Sequence, residues 1–93
     1  AAMQATVHIT SSGFSPPTVT IKAGGTVTWI NDDTSPHWVA SNPHPVHTDY
    51  PGFDALSNIP SGGTYQFTFN NAGNWGYHDH RNPGLLGTVI VVQ

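Results

Sequence analysis

The sequence predicts an all-β fold, an antiparallel Greek-key β-sandwich of about seven short strands forming one domain over residues 1–93. Three observations carry this expectation. Apolar and polar residues alternate along much of the chain, and nothing repeats at helical spacing over a useful length. The alternating runs are filled by Val, Ile, Thr and aromatic residues, which suit a pleated, half-buried surface. Ten glycines and eight prolines, with Asn and Asp, punctuate those runs.

Taken in order, ATVHI sets Val7 and Ile9 on one face and leaves His8 on the other, as an outward surface residue. TVTIK repeats the pattern with Val19 and Ile21, and GGTVTWIND with Val27 and Trp29. Asp32 and Asp33 then read as a turn, where short polar side chains bond their own backbone. TYQFTFN offers Tyr65, Phe67 and Phe69, and NWGYHDH offers Trp75 and Tyr77. GTVIVVQ is apolar on both faces, as a well-covered strand requires. Between them the irregular loop at 41–61 carries four prolines and no sustained alternation. Loops of that length in compact domains are usually functional or disordered. Its Tyr50, Phe53 and Leu56 imply that it packs down, with a short helical turn near 53–57. The core candidates are Trp29, Trp38, Trp75, Tyr65, Phe67 and Phe69.

Composition narrows the function. Lys22 and Arg81 are the only cations, against five aspartates and no glutamate, for a net charge of -3. Nucleic acid and anionic membrane surfaces need clustered Lys and Arg, so neither is a partner. No apolar run is long enough for membrane insertion as a helix. There is no cysteine, hence no disulfide and no thiolate ligand, but there are six histidines. No Ser/His/Asp signature, phosphate loop or catalytic carboxylate pair rises above chance.

The runs FSPPTVTIKAGGTVTWIN and SPH, followed at the other end by AGNWGYHDHRNPGLLGTVIV, resemble the two halves of a cupredoxin of the plastocyanin/amicyanin type. The ending is similar to that of amicyanin, with the shortest ligand loop, and fits without a gap; the 41–61 loop stands outside the resemblance. The resemblance implies copper chemistry and a periplasmic or secreted location. Carried over position by position, the first copper-binding histidine of the family falls on His37, the cysteine on Asp79, the second histidine on Asn82 and the axial methionine on Leu85. Blue copper depends on a copper–thiolate bond, so a blue electron carrier is excluded.

A second resemblance lies in His78-Asp79-His80, which is similar to the His-Cys-His triplet of multicopper oxidases. Strand geometry gives a matching reading: Asp79 shares the inward face of Trp75 and Tyr77, while His78 and His80 share the opposite face, close enough to chelate one ion. The HPVH segment supplies His44 and His47. By resemblance to plastocyanin, that loop lies over the residue before the cysteine position. The expected metal ligands are therefore His78, His80, His44, His47 and His37. The competing readings are ordinary ones: exposed strand histidines for His78 and His80, solvated loop residues for His44 and His47, and a structural contact to Asp79 or Asn82 for His37. Asp79 is a weaker ligand candidate. Its place in the triplet favours orienting a histidine, and an inward carboxylate must be paired, with His37 as its natural partner.

Imidazole donors without thiolate suit Cu(II), Zn(II) or Ni(II), and copper binds most strongly in that order. The expectation is a histidine-rich, non-blue, type 2-like copper site for copper binding, storage or delivery, with zinc as the alternative metal. A copper-donor or copper-acceptor protein would be its partner, and an oligomer is compatible with the chain. The alternatives are a small copper redox enzyme, an oxidase or dismutase-like catalyst, and a structural Zn or Cu site clamping the 41–61 loop.

Overall fold

The computed structural model describes residues 2–42, 50 and 52–93, with side chains throughout except at Ala2 and Pro83. Seven strands form: β1 (Ala2–Thr10), β2 (Gly13–Ser15), β3 (Thr18–Asn31), β4 (Val39–Ser41), β5 (Thr64–Phe69), β6 (Gly73–Asp79) and β7 (Asn82–Val92). Their order is β2-β1-β3-β7-β6-β4, with β5 also paired to β3.

The all-β expectation holds, but the sheet is mixed rather than antiparallel. β1 and β3 run parallel, as do β3 and β7. β1 and β2, and β6 and β7, are antiparallel neighbours in both sequence and sheet, whereas β3 brings together β1, β5 and β7 from distant parts of the chain. Two runs expected as separate strands are one long β3. Its first part, Thr18 to Lys22, pairs with β7; its second part, Gly25 to Ile30, pairs with β5. Gly24 and Gly25 make the bend between them. Gly24 has φ +90°, which L side chains rarely adopt, and a Cβ on Gly25 would lie 2.8 Å from the backbone oxygens of Lys22 and Met3.

The core is aromatic. Trp29, Tyr77, Phe53 and Phe69 are fully buried, and the Trp29 ring lies 5.3 Å from both Phe53 and Tyr77. Phe53 shows that part of the irregular loop does pack down, and buried Tyr50 supports it. Two expectations for that loop fail. Leu56 is 75% exposed, and no helical turn forms at 53–57. Instead Ala40 bridges Asp54 and His37 bridges Ile59, so the segment is held between two tethers. The Asp54 carboxylate accepts the Leu56 N–H at 2.8 Å, a local bond that competes with a helix. Trp38 and Trp75 are only partly buried, and so are Tyr65 and Phe67.

Candidate metal centre

The centre is built where β3 ends. Asn31 is fully buried, and its amide nitrogen donates to the carbonyls of Ser35 and Ile59, both at 2.9 Å. Its amide oxygen accepts the Asp33 N–H at 2.9 Å, and the Asp33 carboxylate accepts the Thr34 N–H at 2.8 Å. These bonds fold the expected Asp32–Asp33 turn back on itself. Backbone bonds in both directions between His37 and Ile59, at 3.1 and 2.6 Å, fix where the histidine emerges.

His37 is buried, with 6% of its surface exposed, and lies between two carboxylates. Its Nε2 is 2.9 Å from Asp33 Oδ2, and its Nδ1 is hydrogen-bonded to Asp79 Oδ2. Asp79 is fully buried at the end of β6, and its other oxygen accepts the N–H groups of Trp38 and Arg81, both at 2.9 Å. The inward Asp79 paired to His37 is as the sequence implied. Burial opposes a charge on His37, but the hydrogen bonds to Asp79 and Asp33 more than offset it and hold its pKa above the usual histidine value. The same contact lowers Asp33, with help from the Thr34 N–H. A protonated His37 donates from both nitrogens, giving a carboxylate–imidazolium–carboxylate row.

A cavity of about 330 Å³ opens onto this row. His37, Asp79, Asn82 and Leu85 all line it, so the four positions aligned with the family's copper ligands do converge. Asp33 and Arg81 line it too. The residues do not fit a blue centre, because a carboxylate with both oxygens engaged stands where a thiolate would be needed. His37 Nδ1 and the Asp79 carboxylate are the nitrogen and oxygen donor types that a divalent ion accepts, and here they are bonded to each other. Asp33 contacts the opposite ring nitrogen, so it orients the imidazole instead of sharing an ion with Nδ1. Among the described residues no three His or Asp side chains form a ready-made metal cluster. Asp33 was read only as a turn residue; its spacing of four from His37 was the available signal.

The other expected ligands are placed differently. His78 is registered with Ala40 of β4, and His80 donates its backbone N–H to the Trp38 carbonyl at 2.6 Å. They are not a pair of exposed strand histidines. His78 is 1% exposed, and its Nδ1 is 2.8 Å from Asn42 Oδ1. His80 lies just beyond β6, with its ring 4.6 Å from that of Trp38. The ladder to β7 shifts register between His78 and Asp79, which interrupts simple alternation. His44 and His47 lie outside the described residues. His8 is half exposed, as expected of a surface residue, and pairs with Asp32.

A seven-stranded β fold with this cavity at the β6–β7 turn is that of a cupredoxin. The chain superposes on a purple cupredoxin from Nitrosopumilus maritimus with a TM-score of 0.82 at 26% identity, covering 94% of this chain and 98% of that one. An oxidised amicyanin variant gives a TM-score of 0.78 at 31% identity, covering 92% of this chain and 79% of that one. By sequence, the chloroplastic plastocyanin of Tetradesmus obliquus is 40% identical over 84 residues, covering 84% of this chain and 57% of that protein. The amicyanin of Paracoccus versutus is 38% identical over 85 residues, covering 91% and 62%. The family of copper binding proteins described as plastocyanin/azurin matches residues 1–92. The chain belongs to that family, and it has no cysteine.

Proposed function

We propose that this chain binds copper at a non-blue, type 2-like site made of imidazole and carboxylate donors, and that it serves copper binding, storage or delivery outside the cytoplasm. The observation that carries this reading is Asp79, fully buried at the cysteine position and bonded to His37 within the cavity. His37 Nδ1 and the Asp79 carboxylate are the first candidate ligands, with Asn82 beside them. When bound, Cu(II) would supply a Lewis-acidic, redox-active centre. The chain's own residues set the conditions for it. Asp33 holds Nε2 and so turns Nδ1 toward Asp79, and the N–H groups of Trp38 and Arg81 fix the carboxylate.

A second arrangement uses His78 and His80 with His44 and His47. It is favoured by buried His78, whose Nδ1 is bonded to Asn42, the last described residue before the segment carrying the loop histidines. Zinc is the alternative metal for either arrangement. A copper-donor or copper-acceptor protein is the proposed partner. A small copper enzyme and a structural clamp of the loop remain the alternatives, and neither has a specific observation in its favour.

Cu(II) titration followed by electron paramagnetic resonance separates the arrangements. Wild type is expected to bind copper with a type 2 signal and no intense blue colour. If His37→Ala abolishes binding and His78→Ala with His80→Ala spares it, the cavity site stands; the reverse result assigns the triplet face. A chain that binds neither copper nor zinc tightly at neutral pH would falsify both.

A further inference from the structure

We propose that the outer edge of β5 is a self-pairing surface, through which two copies of this chain join their sheets by antiparallel β5–β5 contact. β5 pairs with β3 and with no other described strand. The register places Tyr65 opposite Trp29, Phe67 opposite Val27 and Phe69 opposite Gly25. The Asn31 backbone N–H continues this register by donating to the Gly63 carbonyl at 2.9 Å, so that carbonyl and the backbone groups of Tyr65, Phe67 and Phe69 are directed at β3. The backbone N–H and C=O groups of Thr64, Gln66 and Thr68 therefore face away from β3. Among the described residues nothing bonds to them there. The next outward N–H along the strand, that of Asn70, is capped by the Tyr50 hydroxyl at 3.0 Å. The open edge thus has a defined end.

Edge strands are commonly protected by brevity, proline, a bulge or charge. β2 and β4 are three residues each. β5 has six residues, TYQFTF, with no charge, proline or glycine, and its pairing to β3 has no register shift. Its side chains are well fixed for docking. Phe67 stacks on Phe53 at 5.2 Å, while Thr64, Gln66 and Thr68 are exposed.

The partner that this edge fits is a second copy. A two-fold axis at Gln66 puts Gln66 opposite itself and Thr64 opposite Thr68, and each such pair exchanges both backbone bonds. No charge meets its own image. Threonines facing each other repeat a contact already made within the chain, where the Thr26 and Thr68 hydroxyls are 2.9 Å apart. The contact is a single short strand, so association is weak and concentration-dependent.

Sedimentation velocity of the whole 93-residue chain, over roughly 10 µM to 1 mM where weak interfaces populate, tests this. Wild type is expected to pass from monomer to dimer. Gln66→Lys and Gln66→Glu, each placing like charges across the axis, are expected to weaken dimerisation about fivefold or more, and their equimolar mixture to restore it. Thr64→Lys with Thr68→Lys repeats the loss, whereas Thr64→Lys with Thr68→Glu retains the dimer. Wild type that stays monomeric at the highest concentration overturns the proposal. So does Gln66→Lys that dimerises like wild type, or a mixture that remains monomeric.

Discussion

Burial alternates along β5, but the last three residues of β6, Tyr77, His78 and Asp79, are buried one after another. The two strands differ in their position in the fold. β5 is an edge strand with threonines and a glutamine toward solvent, so its polar residues face water. β6 lies between β4 and β7 and is covered on both faces near its end. There, side-chain parity still separates one face from the other, but it no longer separates core from water. Polar groups there must find partners inside the protein: Asp79 takes His37 and His78 takes Asn42, while the Tyr77 hydroxyl has no hydrogen-bond partner among the described residues.

That contrast can be broken most severely at Asp79. Asp79→Ala leaves buried His37 Nδ1 and the N–H groups of Trp38 and Arg81 without their acceptor, and is expected to lower stability by about 3–5 kcal/mol, read from the urea midpoint. Gly87→Ala comes next. Gly87 lies across from Tyr77, and a Cβ there would sit 2.3 Å from the tyrosine ring. Neither backbone nor ring has room to yield fully, so a loss of about 1–3 kcal/mol is expected. On β5, Gln66→Ala removes only an exposed contact to Thr28 and should shift stability by no more than about 0.5 kcal/mol. An effect there as large as at Asp79 would erase the distinction between the strands.

The carboxylate–imidazolium row also fixes a pH dependence for the metal-free chain. His37 is raised in the folded state, so its contribution is complete below its ordinary value of 6.5 and is lost as pH rises through the raised folded value. Asp33 is lowered, so its contribution is present above its ordinary value of 3.8 and is lost as pH falls through the lowered one. Both are present between 3.8 and 6.5. Thermal melts in chelator should show the row's stabilisation in that window and its decline above it, and His37→Gln should remove that decline. A wild-type profile identical to the variant's would remove the row's role in stability. At the proposed site copper would have to displace the proton on Nδ1, so the raised His37 pKa would move the onset of binding to higher pH.

Much of the fold was legible because half-covered strands write their faces as alternation. Val7 and Ile9, Val19 and Ile21, and Val27 and Trp29 all point inward as read. The join of two runs into one β3 was not legible, since Gly24-Gly25 looks the same as a turn until the backbone approach of Lys22 and Met3 is seen. Leu56 misled because an apolar side chain in a loop suggests packing, whereas its exposure is set by tethers at Ala40 and His37. At the candidate site, the pairing of His37 with Asp79 followed from the rule that a buried carboxylate needs a partner. Asp33 was missed because its bond to His37 depends on Asn31 folding the intervening turn. The burial of His78 depends on what covers β6, which no spacing within HDH encodes.

The visible spectrum of the Cu(II)-loaded Asp79→Cys variant, prepared without oxygen, tests the central claim most directly. A thiolate colours copper only where it is a ligand. If the ion sits beside His37 and residue 79, wild type shows weak absorption and the variant gains an intense copper–thiolate band at unchanged copper content. A variant that binds the same amount of copper without such a band places the ion elsewhere and contradicts the account.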